Sequence, residues 1–99
     1  MIEPKEFKEY VVAWSHKIGV KPKEIHIRDM TRKWASCSTK GRLTFATSLL
    51  EEPKKKQDKV IVHELLHLRY PNHGKMFHMM LRSYIAHTEV ITKNIQEGK

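Results

Sequence analysis

The stretch His63-Glu64-Leu65-Leu66-His67 constrains the fold of this chain more than any other. Side chains four residues apart lie on one face of an α-helix, so a helix here brings two imidazoles toward the same point. Leu65 and Leu66 fall on the other side, where they can pack against a core. The spacing therefore predicts a helix through residues 63–67 with one polar and one buried side.

Two histidines and a glutamate at this spacing form the H-E-x-x-H zinc-binding signature. The pattern predicts Zn²⁺ held by His63 and His67, with Glu64 as the catalytic base toward a zinc-bound water. A helix can also carry these three residues on a polar face by accident, so the signature depends on its surroundings.

A catalytic zinc site needs at least three protein ligands and an open fourth position. His73 is the expected third ligand, because the break at Pro71 permits a turn that brings it back toward the metal. Gly74 is expected to allow close approach of the backbone or a positive φ angle. His78, His87 and Glu89 are the alternative ligands, farther along the chain.

Hydrolysis also requires a donor that stabilises the oxyanion of the transition state. The candidates are Tyr84, His78, Arg69 and Arg82, and the sequence does not choose among them. Asn72 is expected to orient a metal ligand through a hydrogen bond.

The composition predicts one soluble globular domain over residues 1–99. Apolar residues make up 39% of the chain and charged residues 30%, and no apolar run approaches the roughly 18 residues of a membrane helix. Early acidic residues and the lack of an apolar N-terminal segment argue against a signal peptide. Cys37 is the only cysteine, which excludes an internal disulfide and favours a cytoplasmic location.

The net charge of +8 favours a basic, soluble surface and permits contact with a polyanion. The lysines are spread along the chain apart from the run at residues 54–56, and no basic stripe carries interleaved aromatic residues. Nucleic acid is therefore a permitted partner that the sequence does not specifically indicate.

Helical periodicity predicts a first helix over residues 4–18, with an apolar stripe that includes Phe7 and Trp14 and a glycine cap at Gly19. Alternating apolar and polar residues within 24–46 predict three short strands, the last two joined as a hairpin by the turn at residues 39–41.

A second helix is expected to open at Glu51-Glu52-Pro53 and to stop near Arg69-Tyr70, before Pro71. The lysines at 54–56 are expected to splay into solvent. A third helix is expected from about Lys75 toward Gln96, with Phe77 on its buried face.

Several of these motifs together resemble one known family. They are Trp34-Ala35-Ser36-Cys37-Ser38, Gly41-Arg42-Leu43, the stretch at 63–67, Pro71-Asn72-His73-Gly74 and Phe77. The set is similar to the YgjP-like and minigluzincin group of small zinc metallopeptidases, over roughly residues 30–85. That group is in turn similar to the catalytic domains of HtpX-type membrane metallopeptidases.

The resemblance implies an α+β, zincin-like minimal metallopeptidase domain with an N-terminal helix, a small three-stranded sheet, an active-site helix and a C-terminal helix. It also implies a histidine as the third zinc ligand, which supports His73. One strand of the sheet should border the cleft, so that an extended peptide or protein substrate can bind by strand addition. Cys37 is expected to be a small buried residue of that sheet.

The resemblance further implies a latency segment at residues 87–99, as in zymogens whose C-terminal segment covers the cleft within one molecule or by exchange in a homodimer. A terminal helix that completes the core is the alternative. For the whole chain, the alternatives to a zinc metallopeptidase are a zinc-dependent nucleotide pyrophosphatase and a non-enzymatic, zinc-stabilised binding module.

Overall fold

The computed structural model describes the backbone of residues 2–97 and the side chains of residues 2–86. Its helices and strands follow one another as α1 (Pro4–Ile18), β1 (Glu24–Arg28), β2 (Ala35–Cys37), β3 (Arg42–Ala46), a 3₁₀ helix (Thr47–Glu51), α2 (Lys54–Leu66) and α3 (Lys75–Glu97). The predicted α+β class and the predicted order of elements are confirmed.

Helix α1 has the predicted bounds. Pro4 lies in its first turn, and Gly19 ends it with a φ angle of 84° and a hydrogen bond from its N–H to the Ser15 carbonyl. The apolar stripe faces the core, and its most buried members are Phe7, Val11, Trp14 and Ile18.

The sheet has the strand order β1-β3-β2. Strands β2 and β3 are antiparallel, with Ser36 opposite Thr44, which confirms the predicted hairpin. Gly41 has a φ angle of 92° in the connecting turn, a conformation that favours glycine. Strand β1 pairs in parallel with β3, so β2 is left at an edge of the sheet.

The start of the second helix differs from the prediction. The chain forms the 3₁₀ helix first, and α2 begins at Lys54 with no acidic residue in its first turn. A buried side chain in the first turn of α2 stabilises this start, because the amide of Gln57 donates hydrogen bonds to carbonyl oxygens near the end of the 3₁₀ helix. Its acceptors are Leu49, Leu50 and Glu52.

The lysines at 54–56 do not all splay into solvent as predicted. Lys56 is half-buried, with Nζ 4.8 Å from the centre of the Trp34 ring, and Lys54 Nζ lies 5.0 Å from the Tyr10 ring. Both contacts are cation–π interactions that hold the aliphatic stems against the protein.

Helix α2 also ends earlier than predicted, at Leu66 rather than near Arg69-Tyr70. The backbone N–H groups of His67, Leu68 and Arg69 donate to carbonyls three residues back. These shorter hydrogen bonds form tight turns in place of a further turn of α-helix, so the helix ends several residues before Pro71. His67 therefore follows the helix as its cap, whereas His63 and Glu64 lie within it.

Helix α2 crosses the centre of the core, which lies between the sheet and the other two helices. Ile61, Val62, Leu65 and Leu66 are fully buried on it. Across the core, the rings of Phe7 and Phe45 meet edge to face with centroids 5.2 Å apart. Trp14 Nε1 donates a hydrogen bond of 3.1 Å to Asp58 Oδ1, which fixes α1 against α2.

Helix α3 starts at Lys75 as predicted and places Phe77 in the core, 1% exposed. The predicted latency segment at 87–99 lies outside the described side chains. In the described part of the chain, no helix has both the length and the apolar character needed to cross a membrane.

Candidate active site

Three histidines converge at the C-terminal end of α2. The Nε2 atoms of His63 and His67 lie 3.3 Å apart, and those of His67 and His73 lie 2.9 Å apart. The ligand atoms of all three lie within 4.8 Å of one another. The turn after α2 carries the chain back, so that His73 reaches the pair on the helix.

The three imidazoles fit zinc. Zinc–nitrogen bonds of about 2.0–2.1 Å in tetrahedral geometry place two ligand nitrogens about 3.4 Å apart, which is close to the 3.3 Å between the Nε2 atoms of His63 and His67. Three neutral imidazoles form a donor set that zinc accepts, and a fourth position is left for a water or a substrate. His63 and His67 are half-buried and His73 is exposed, so the cluster opens to the surface on one side.

Phe77 lies beneath the three imidazoles. Its ring centroid is 5.1 Å from that of His63, 4.8 Å from that of His67 and 4.8 Å from that of His73. A buried aromatic ring in contact with all three restricts the rotation of their side chains. The first turn of α3 thus supports the cluster that α2 and the following turn supply.

Burial also affects the protonation of His63. It lowers the pKa of the imidazole below its usual range, and the proximity of the imidazoles of His67, His73 and His78, which disfavours a further positive charge, acts in the same direction. A neutral imidazole is the form that binds metal ions.

Glu64 is half-buried beside the cluster, next to His63 in the chain. Burial raises the pKa of its carboxyl to about 7, although the positive charge of Lys33 acts in the opposite direction. A carboxyl with a pKa near neutral suits a general acid–base group. The carboxyl lines two adjoining depressions of the surface, which meet at Glu64 and Ala35.

The larger depression is an open groove of about 920 Å³ between strand β2 and the end of α2. We call it the groove; Ala35, Cys37, Glu64 and His67 are among its lining residues. The smaller one, here called the hollow, has a volume of about 340 Å³ and lies between Trp34 and the middle of α2. Together they form a cleft that runs along β2 and past the histidines.

Strand β2 presents its free edge to this cleft. The Trp34 carbonyl accepts a hydrogen bond from Ala46 N–H, and Ser38 N–H donates to the Arg42 carbonyl. In an antiparallel pair the residues between such positions direct their backbone groups to the other side. The N–H and C=O groups of Ala35 and Cys37 therefore point away from β3, toward the cleft that both residues line.

The other sequence candidates occupy different places. The ring of His78 lies 6.2 Å from that of His73, outside the cluster of three. The guanidinium of Arg69 donates to the Gly19 carbonyl, at 3.0 Å, and its side chain lines the groove. The Tyr84 ring packs on Trp14 with centroids 6.2 Å apart. His87 and Glu89 lie outside the described side chains.

Two further candidates are more remote from the histidines. Arg82 lies with His78 on another depression along α3. Asn72 is exposed in the turn before His73, and its expected hydrogen bond to a metal ligand stays a prediction.

The expectation for Gly74 was wrong. Its φ angle is not positive, and an added Cβ would meet no atom within 4 Å. Gly74 instead precedes α3, where its carbonyl accepts the first hydrogen bond of the helix from His78 N–H.

Cys37 is less buried than the sequence predicted. It is half-buried, and its thiol donates to the Ser38 carbonyl at 3.5 Å. Burial and, second, the negative charge of Glu64 raise the pKa of the thiol. The side chain is therefore a neutral thiol on the wall of the groove.

The sequence profile of the YgjP-like family, described as a metallopeptidase domain, matches residues 3–97. The chain belongs to this family. A search of curated proteins found no match. The YgjP-like assignment and the three-imidazole donor set together imply zinc as the metal, which confirms the predicted cofactor.

Solved structures with the same fold include two crystal structures of metallopeptidase zymogens. Jannalysin of Methanocaldococcus jannaschii is 27% identical with a TM-score of 0.69, and the match covers 94% of this chain and 97% of that chain. Abylysin of Pyrococcus abyssi is 20% identical with a TM-score of 0.68, and the match covers 77% of this chain and 76% of that chain. The predicted minigluzincin-like fold is confirmed, whereas the resemblance to HtpX-type enzymes stays a prediction.

Sequence reasoning missed Lys33 and the hollow beside Trp34. Lys33 lies in the connection before β2, distant from Glu64 in sequence, and no motif marks it. The pairing of Trp34 with Lys56 depends on how β2 packs against α2. The sequence signals that could have indicated the hollow were the predicted antiparallel hairpin and the position of Ala35 within it.

Proposed function

We propose that this YgjP-like metallopeptidase cleaves peptide bonds with His63, His67 and His73 as the zinc ligands and Glu64 as the general base. The main observation in support is that the imidazoles of these three histidines converge beside the Glu64 carboxyl, which lines the cleft. A purely structural zinc site has closed coordination and no use for a neighbouring base.

Zinc, when bound, supplies a Lewis acid that polarises the scissile carbonyl and activates a water molecule for attack. The Glu64 carboxylate accepts the proton of the attacking water and then delivers it to the nitrogen of the leaving amine. Phe77 holds the three imidazoles in place and keeps that side of the cluster dry.

Strand β2 positions the substrate in this proposal. An extended peptide adds to the free edge of the sheet and forms hydrogen bonds with the backbone groups of Ala35 and Cys37. Because Ala35 lines the cleft together with Glu64, a peptide bound along this edge passes the carboxylate. The small side chain of Ala35 leaves room for the substrate backbone.

The experiment compares the wild type with Glu64→Gln. The amide cannot accept the proton, so we expect cleavage of a peptide library to fall by about 10²–10⁴-fold while bound zinc is unchanged. Glu9→Gln on the exposed face of α1 removes the same charge far from the cleft, and its activity should equal that of the wild type. Full activity in Glu64→Gln would exclude the mechanism.

We also propose that residues 1–99 form one metallopeptidase domain and that residues 87–99 restrain its activity. The support for latency is that the solved structures of similar fold are zymogens. The segment acts within one molecule or by exchange between two copies, and the apolar Val90, Ile91 and Ile95 at helical spacing are the residues that would contact the cleft.

Two variants test the restraint. A chain that ends at Ala86 removes the segment, and Val90→Ser with Ile95→Ser weakens its apolar face within the full chain without adding charge. Each should raise the rate of peptide cleavage without loss of zinc. If both proteins fold, bind zinc and cleave no faster than the wild type, the segment instead completes the core.

A cytoplasmic location completes the proposal and rests on the single cysteine. Fractionation of the source cells with an antibody to the chain would test it.

A further inference from the structure

The charges around the cleft are strongly one-sided. Five cationic side chains line the groove: Lys21, Lys23, Lys33, Lys40 and Arg69. They come from the connections between α1, β1 and the β2–β3 hairpin and from the turn after α2. Glu64, the proposed base, is the one carboxylate that lines the groove in the described part of the chain.

Positively charged side chains also outnumber negatively charged ones in the hollow at the other end of the cleft. Lys56 and Lys59 on α2 line it together with Trp34, and Glu64 is again the one carboxylate among its described lining residues. Positive charge therefore flanks the three histidines on both sides along the direction of β2.

The excess of positive charge at the cleft does not simply reflect an even distribution of the chain's net charge over its surface. The chain has 11 acidic residues, and three of them, Glu6, Glu51 and Glu52, line a separate depression between α1 and the 3₁₀ helix. The salt bridges of Glu24, to His26 and to Arg42, lie outside the cleft. None of them neutralises a cation of the groove or the hollow.

We infer that the cleft selects acidic peptide segments, with Asp or Glu on both sides of the scissile bond. Clefts lined by charges of one sign concentrate ligands of the other sign and accelerate their association by about 10–10³-fold. The free edge of β2 favours a peptide over other polyanions, since the backbone groups of Ala35 and Cys37 match those of an extended chain. The inference rests on the proposed peptidase function.

Trp34 and Lys56 form the most specific part of this surface. Trp34 is 37% exposed, and Lys56 Nζ lies over its ring. An acidic side chain in the hollow can pair with Lys56 or Lys59 while its aliphatic part contacts the indole. Binding there should change the fluorescence of Trp34.

The test measures binding separately from cleavage. Three labelled peptides of equal length, rich in Glu, Gln or Lys, are titrated by fluorescence anisotropy into the zinc-loaded Glu64→Gln protein, which does not consume them. The titration is done with the full chain and again with Val90→Ser and Ile95→Ser added, so that the proposed latency segment does not cover the cleft. The acidic peptide should bind at least about tenfold more tightly than the neutral one, and the advantage should shrink as salt is raised. Equal affinities, or no binding of the acidic peptide, in the variant with the weakened segment would overturn the inference.

Charge-reversal variants test whether the cationic residues of the cleft cause the preference for acidic peptides. Lys33→Glu with Lys40→Glu in the groove should abolish the preference, whereas Lys5→Glu with Lys8→Glu, an equal change on the exposed side of α1, should preserve it. Loss of the preference in both proteins would show that net charge rather than the cleft is responsible, and would overturn the inference.

Two further experiments distinguish a preference for acidic peptides from binding of nucleic acid or phosphate, and from failure of the proposed peptidase function. A single-stranded oligonucleotide or ATP that displaces the acidic peptide at lower concentration would assign the cleft to nucleic acid or phosphate and overturn the inference. Cleavage of the three peptides by the Val90→Ser, Ile95→Ser protein, in which Glu64 is intact, tests the function independently. Equal cleavage of all three defeats only the acidic preference, whereas ranked binding without cleavage defeats only the peptidase.

Discussion

The Nε2 atoms of His67 and His73 lie 2.9 Å apart, although His67 ends α2 and His73 lies beyond the turn at Pro71. The short separation depends on the tight turns that follow Leu66, because they redirect the chain one turn earlier than a full helix would. A sequence motif on one helix thus becomes a three-histidine cluster through the connection that follows it.

The first prediction concerns this third histidine. His73→Ala should weaken zinc binding by more than about 100-fold, because even a hydrogen-bonding partner of a ligand contributes about 10–100-fold. His78→Ala, in which a neighbouring histidine outside the cluster is removed, should retain zinc. Competition with a calibrated chelator measures both affinities, and equal effects of the two substitutions would contradict the ligand assignment.

The second prediction concerns Phe77, which is 1% exposed beneath the imidazoles. Phe77→Ala should lower the free energy of unfolding by about 3–5 kcal/mol through the cavity that it creates. It should also weaken zinc binding, because the rings lose their support. Phe77→Leu should retain much of the wild-type stability and much of the zinc affinity.

Met79→Ala is the matched control on the same helix, since Met79 is 53% exposed. Its free energy of unfolding should change by less than about 0.5 kcal/mol. Urea unfolding and zinc titration of the variants provide the comparison. Unchanged zinc affinity in a folded Phe77→Ala protein would show that the ring is a core residue only.

Much of the site was predictable because its determinants are local. The spacing of His63 and His67, the break at Pro71 and the position of His73 directly after it are all visible in the sequence. Helix α1 was predictable for the same reason, since the periodic stripe and Gly19 define both its face and its end.

The features that could not be predicted depend on side-chain contacts and packing that no motif or periodicity in the sequence marks. The 3₁₀ helix is held by the side chain of Gln57, and the position of Lys56 depends on Trp34, which is on another element. The parallel pairing of β1 with β3 is likewise set by packing rather than by periodicity. The charged cleft arises only when these elements come together.

The third prediction compares two glycines that the sequence treats alike. Gly41 has a φ angle of 92° in the β2–β3 turn, so Gly41→Ser should cost about 1–3 kcal/mol of stability. Gly74 has no such requirement and precedes α3, where serine is a good N-cap, so Gly74→Ser should be neutral or slightly stabilising. Thermal unfolding monitored by circular dichroism measures both, and equal losses would contradict the backbone geometry at one of the two positions.

The fourth prediction concerns Asp58, whose carboxylate accepts the Trp14 hydrogen bond inside the core. Burial raises the pKa of this carboxyl above its usual 3.8, although the Trp14 hydrogen bond and the charges of Lys54 and Lys17 act in the opposite direction. A group whose pKa is raised by folding contributes stability below its unfolded pKa, and this contribution is lost as the pH rises through the folded pKa. Ionised Asp58 therefore opposes folding near neutral pH.

Asp58→Asn separates the hydrogen bond from the charge, because the amide oxygen can accept from Trp14 but cannot ionise. Its stability should match that of the wild type below the usual pKa of 3.8 and exceed it near neutral pH, with the difference growing as the pH rises. Asp58→Ala leaves the indole N–H buried without an acceptor and should lose about 1–3 kcal/mol at every pH. Urea unfolding of the three proteins across this range gives the differences, in which protonation of the shared histidines cancels. An asparagine variant less stable than the wild type near neutral pH would show that the ionised carboxylate stabilises the fold.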